Sequence, residues 1–218
     1  MSRTITVKGV GNVSAKVDYV KLTLTIHGKD KEYNAAMEEA ASQINCLECA
    51  VEQIGFKKGD LKTLNFDVRT EQKDIRDEDG NFHRVFIGYV CDYTLELSFD
   101  FESERLAAIL SAIADSGANP ELNITFTVKD PSKISEELLI RAAANAREKA
   151  EILCRASGTE LGDLLSIDYN WGELRVESRT RYGYDTLECI TAKRSSMPAL
   201  RPDDIDLRDT AVFVWEIK

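Results

Sequence analysis

Two histidines in 218 residues, His27 and His83, leave little material for acid–base or metal chemistry. Neither stands at ligand spacing from a cysteine, and no Gly-x-Ser-x-Gly nucleophile turn occurs. The five cysteines, Cys46, Cys49, Cys91, Cys154 and Cys189, are odd in number and lack framework spacing, which suits a reducing compartment. Basic residues are outnumbered, 28 to 38, and a net charge of −10 disfavours non-specific attraction to nucleic acid or anionic lipid. No run approaches the roughly 20 apolar residues of a transmembrane helix, and Met1-Ser2-Arg3 passes into Thr4-Ile5-Thr6-Val7 without a signal-peptide core. The expected location is cytoplasmic as the sequence stands, and periplasmic or envelope-associated if a signal peptide has been removed.

What is present is a pattern repeated three times. A helix-type run ends in glycine, and an alternating apolar strand follows. Ile124, Phe126 and Val128 fall seven, nine and eleven residues after Gly117; Leu165, Ile167 and Tyr169 stand at the same offsets from Gly158. Leu64, Phe66 and Val68 follow Gly55 with two residues more. With 43% hydrophobic content the chain can bury a large core, expected as a single domain 1–218 of two intimately packed halves, approximately 1–84 and 85–218.

Residues 4–28 read as two strands whose apolar parity switches near Asp18, suggesting a turn. Asp30 is placed to cap a helix reaching Ile54, with Tyr33, Met37, Ala40, Ile44, Leu47, Val51 and Ile54 on one face. Strands near 62–70 and 85–101 flank Asp77-Glu78-Asp79-Gly80-Asn81, a hairpin signal, and the second keeps one apolar parity from Val85 to Phe101. A second helix covers 103–116, and a third opens at Asp130-Pro131 and runs to about Ala156. The fold class is α+β: two layers, a largely antiparallel sheet with three helices on one face, in the order β-β-α-β-β-α-β-α-β-β with internal αβ repeats. Lys21, Thr23, Thr25, Asn65, Asp67, Glu96, Ser98, Asn123, Thr125 and Thr127 then share the polar face of that sheet, either an ordinary wet face or a binding surface.

Three constellations invite chemistry. Gly9-Val10-Gly11 lacks the third glycine and following helix of a dinucleotide fingerprint, so the glycines mark a bulge or a close backbone approach. Cys46-Leu47-Glu48-Cys49 resembles half a zinc or redox motif but has no second pair and falls mid-helix, away from the apolar stripe; no cofactor and no metal is expected. Between Trp171 and Asp209 periodicity is weak, and residues 175–201 hold six basic side chains against three acidic ones. Arg179, Arg181, Tyr182, Tyr184 and Arg194 are the candidate subunit contacts of this long segment, since arginine and aromatics are favoured at interfaces.

The strand Val7-Lys8-Gly9-Val10-Gly11-Asn12-Val13 with Asp18, the run from Ala142 to Leu153, the segment Gly158–Ile167 and the acidic link Pro198–Ile217 together resemble the SIMPL-domain family, a domain of unknown function. The resemblance spans nearly the whole chain. It implies an α+β fold and a tendency to self-assemble, in a family that includes periplasmic or outer-membrane-associated antigens, stress-linked proteins and an animal protein that associates with a pelle-like kinase. It supplies no catalytic residues. Two departures stand out: no signal sequence, and Val17 before Asp18 where proline is usual. The expectation is a non-enzymatic homo-oligomer, a scaffold or stress-associated interaction module with an unknown protein partner and no nucleic acid; the alternative is an enzyme or small-ligand binder using the polar sheet face.

Overall fold

The computed structural model describes residues 3–76, 82–170, 172, 174–184 and 200–218. These form β1 (Thr4–Ala15), β2 (Tyr19–Asp30), α1 (Tyr33–Gln53), β3 (Leu61–Arg76), β4 (Phe82–Asp100), α2 (Ser103–Asp115), β5 (Glu121–Thr127), α3 (Pro131–Ser157), β6 (Leu161–Asp168), β7 (Glu177–Tyr184) and β8 (Ile205–Ile217). The class is α+β, as the periodicity requires. The strands lie in two sheets, ordered β1-β8-β6 and β3-β4-β2-β5-β7. The parity switch near Asp18 falls where the chain leaves one sheet for the other. β1 pairs antiparallel with β8, from Thr4↔Glu216 to Ala15↔Ile205, whereas β2 pairs antiparallel with β4, so the chain changes sheet where a turn was expected.

Two compact units result. One draws on the chain before Asp18, on Thr127–Arg179 and on the stretch after Arg201; the other on Asp18–Phe126 and the stretch from Thr180. In the first, α3 buries Ile134, Leu138, Ala142, Ala146, Ala150 and Cys154, a stripe with strict four-residue spacing. Ala146 and Ala150 join Val7, Ala211, Phe213 and Trp215 in one cluster, and Leu138 and Ile134 join Val13, Val128, Val176 and Ile205 in another. The small residues have a steric cause. A Cβ on Gly9 would overlap the Ala142 carbonyl oxygen and one on Gly11 that of Leu138, so the Gly-Val-Gly run is the close approach of strand to helix. Side chains of α3 also complete the backbone of β1: Asn145 Oδ1 accepts from the Val10 N–H at 3.1 Å, Arg141 Nη1 donates to Asn12 O at 2.8 Å and Lys149 Nζ to Lys8 O at 3.2 Å.

The second unit repeats this arrangement. Here α1 lies over β2, where a Cβ on Gly28 would overlap the Ala36 carbonyl oxygen. Val20, Leu22, Leu24 and Ile26 of β2 and Leu95, Leu97 and Phe99 of β4 are buried beneath the helices, each large aliphatic contributing about 2–3 kcal/mol. In both units the strand after the helix carries a bulge at the first apolar residue of the repeat. The β3–β4 register skips Leu64, and the β6–β8 register skips Leu165. Leu64, Leu165 and Ile167 are therefore exposed, where alternation alone places them in a buried face. The capping glycines behave as expected, with φ of 96° at Gly55, 80° at Gly117 and 74° at Gly158.

Local corrections follow from hydrogen bonds and register. Asp30 does not cap α1: it ends β2, its carboxylate accepts from Glu32 N–H at 2.8 Å, and Glu32 is the N-cap. A second β3–β4 register shift, opposite Glu71 and Gln72, leaves Ile87 unpaired and breaks the single parity expected from Val85 to Phe101; Val85 and Ile87 are exposed. The expected turn at Asp77–Asn81 lies outside the described residues. β7 is a strand where weak periodicity gave none: Val176, just before it, and Ser178 within it are buried and alternate with the exposed Glu177 and Arg179.

Candidate functional site

The polar face of the five-stranded sheet follows from the register. Thr23 stands opposite Glu96, Lys21 opposite Ser98 and Thr25 opposite Thr94, while Asn65 and Asp67 of β3 stand opposite Thr94 and Asp92. Most of these side chains on β2 and β4 are half-buried, and Ser98 Oγ donates to Glu96 Oε1 at 2.9 Å. Thr127 departs from the expected face: it is buried, and its hydroxyl donates to the Val176 carbonyl.

Near one end of this face, four ionisable side chains stand in a row across four neighbouring strands, in the order Arg69 (β3), Asp92 (β4), His27 (β2) and Glu121 (β5). Asp92 is the pivot. His27 Nδ1 lies 2.6 Å from Asp92 Oδ1, and Arg69 pairs with Oδ2 of the same carboxylate. Burial alone would raise the Asp92 pKa, but the hydrogen bonds from His27 and Arg69 and the charge of Arg69 outweigh it, and the carboxyl titrates below its ordinary value. An ionised Asp92 only accepts, so His27 Nδ1 must carry a proton, which leaves Nε2 facing Glu121. Nε2 is 3.2 Å from Glu121 Oε1 without the alignment of a hydrogen bond.

His27 and Glu121 open onto a cleft of about 570 Å³ whose other walls are Glu39, Ser42, Gln43, Gly117 and Asn119. Glu39 Oε2 accepts from the Lys29 N–H at 2.8 Å, and Gln43 Oε1 accepts from the Asn119 N–H at 3.2 Å, tying α1 to β2 and to the approach of β5. The arrangement orients an imidazole, with Nδ1 on Asp92 and Nε2 toward Glu121. Among the described residues, no hydroxyl or thiol hydrogen-bonds His27. No group of three His, Cys, Asp or Glu side chains among the described residues is arranged to hold a metal ion.

Sequence reasoning missed this row. The signal was parity: His27 continues Lys21, Thr23 and Thr25, Asp92 continues Ser98 and Glu96, and Arg69 continues Asn65 and Asp67. The neighbour order that brings them together is a long-range property.

The candidate contact residues are only partly gathered. Arg179 and Arg181 are exposed on β7, which is an edge strand next to β5, and Tyr182 packs its ring edge-on against Phe126 at 6.0 Å. Arg194 and the side chain of Tyr184 lie outside the described residues. A larger apolar display is on the distal β3–β4 ribbon, where Ile75, Phe82, Val85, Phe86 and Ile87 are exposed, Phe82 at 73%. Arg76 lies over the Phe82 ring and Arg84 Nε is 3.3 Å from Asp74 Oδ1.

Of the cysteines, Cys46 is half-buried, Cys49 exposed, and Cys91 and Cys154 buried. No helix among the described residues is long and apolar enough to cross a membrane.

A family model named SIMPL, described as a protein of unknown function (DUF541), matches residues 5–215. A 26 kDa periplasmic immunogenic protein of Brucella abortus is 26% identical over 163 residues, which cover 75% of this chain and 65% of that protein. Its counterpart in Brucella melitensis biotype 1 is 25% identical over the same length. The chain thus spans about 65% of the length of the curated relatives it matches.

Proposed function

The chain belongs to the SIMPL family, and from that premise we propose that it is a non-enzymatic, self-assembling interaction module whose copies meet through the β3–β4 ribbon. The observation that carries the reading is the apolar ribbon itself. A two-stranded ribbon with Ile75, Phe82, Val85, Phe86 and Ile87 exposed is an association surface rather than a core element. Its charges favour a second copy of this chain as the occupant. The chain carries −10 overall, but the described strands of the ribbon carry both signs, Glu71 and Asp74 beside Lys73, Arg76 and Arg84, so a second copy can set opposite charges against each other here. An isologous contact of ribbon on ribbon would bury the aromatic rings of both partners. Arg179 and Arg181 on the edge strand β7 are proposed as further contacts. The names of the Brucella relatives support a periplasmic setting for this module.

Light scattering in the micromolar range tests the reading. Wild-type protein is expected to be oligomeric, and the double variant Phe82→Ser with Phe86→Ser is expected to give smaller species with unchanged circular dichroism. A wild-type monomer throughout that range would end the proposal. A second reading, a binder of small polar ligands, is favoured by the oriented His27 and the cleft beside it. Retention of a metabolite by the wild type but not by His27→Ala, read by mass spectrometry, would support it.

A further inference from the structure

Cys46 and Cys49 occupy positions i and i+3 of α1, so their Cβ atoms are about 5–6 Å apart on one face of the helix. That face opens into a groove of about 520 Å³ between α1 and α2, and both cysteines line it, together with Asn45, Gln53, Asp115 and Ser116. Neither belongs to the buried stripe of Ala36, Ala40, Leu47, Ala50 and Val51. Two thiols side by side in one groove cannot close on each other without distorting the helix, because a disulfide wants its Cβ atoms about 3.5–4.5 Å apart. An atom inserted between the two sulfurs spans the larger gap.

We propose that Cys46 and Cys49 form a two-coordinate site for a soft monovalent cation, copper(I). Ligand number makes the choice. Structural zinc requires four ligands, and no third His, Cys, Asp or Glu among the described residues is placed to join the pair. Thiolates select copper(I) among soft ions, and copper(I) accepts as few as two of them. On binding, each thiol releases its proton to solvent, two sulfur–copper bonds form, and the metal keeps its oxidation state. The buried Cys91 and Cys154 take no part. Cys91 Sγ is engaged with Met37 Sδ at 3.3 Å, and burial, then Asp92 and Asp67, push its thiol pKa up, away from the metal-binding thiolate.

The test is anaerobic titration of the full reduced chain with copper(I) in competition with a chromophoric copper(I) chelator. The expected result is one equivalent retained per chain, lost in Cys46→Ser and in Cys49→Ser, and kept in Cys154→Ser and Cys189→Ser. X-ray absorption should give two sulfur neighbours. Circular dichroism of the two groove variants should match the wild type, since these side chains are outside the core. Retention of the equivalent in both groove variants, its loss in Cys189→Ser, or three sulfur neighbours would each overturn the two-thiol site.

Discussion

Replacing Gly11 by alanine puts a methyl group where the Leu138 carbonyl oxygen already stands. The obstacle is helix backbone, so no rotamer change relieves it, and α3 must move away from β1. Overpacking of this kind costs about 1–3 kcal/mol. The displacement also stretches the bond from the Val10 N–H to Asn145 Oδ1 and the donations from Arg141 and Lys149, of which the part-buried Val10 bond is worth about 1 kcal/mol. The expected loss is about 2–4 kcal/mol, a large fraction of the roughly 5–15 kcal/mol that holds a typical domain together. For a chain of this length each kcal/mol moves Tm by about 2–4 °C, so the variant should melt about 4–16 °C below the wild type. Gly172→Ala is the control: no atom lies within 4 Å of the added Cβ, and its Tm should stay within a degree or two. Differential scanning calorimetry on the three proteins decides. If Gly11→Ala melts together with Gly172→Ala, α3 does not press on β1 and the account of the Gly-Val-Gly run fails.

Asp92→Asn should cost roughly 1–2 kcal/mol at neutral pH, because the carboxylate is held by His27 and by a half-exposed Arg69. The folded pKa of Asp92 lies below its ordinary 3.8, so this stabilisation is fully present above that value and is lost as pH falls through the folded pKa. Urea midpoints of wild type and variant should therefore converge in acid below about pH 4, and a gap that widens there would reverse the assigned sign. In native protein a thiol reagent should modify Cys46 and Cys49 while sparing Cys91 and Cys154 until unfolding; mass-mapped labelling of Cys91 at the rate of Cys49 would refute the inward parity of β4.

Local rules were legible in the sequence because their causes are local. Gly55, Gly117 and Gly158 announced left-handed caps, and the spacing of Leu106, Ile109, Leu110 and Ile113 announced the buried face of α2. The Cys46/Cys49 pair was readable as lying off the apolar stripe for the same reason. Bulges were hidden, since Leu64, Ile87 and Leu165 differ from their neighbours only in having no cross-strand partner. Sheet membership was hidden too: nothing near Asp18 says that β1 will pair with a strand some two hundred residues later. The row from Arg69 to Glu121 needed both, parity along each strand and the order of four strands, and only the first is written locally. The alanine-rich run of α3 read as a family signature, and the structure gives it a physical task, letting a helix rest on glycine.

The pairing of β1 with β8 also sets a schedule for the ribosome. In one unit the glycine-bearing strand, its helix, the bulged strand and the strand between them, β2 to β4, leave the ribosome one after another and have each other as partners by Asp100. In the other unit the equivalent strand β1 is made first, and its partner β8, the middle strand of its sheet, is made last. Until β8 arrives, β1 and β6 both carry an unpaired edge that the finished protein does not leave open. Between β1 and β8 a nascent chain thus holds β2 to β4 already paired while β1 still waits for its partner, the interval in which a chaperone or a stray strand has its opportunity.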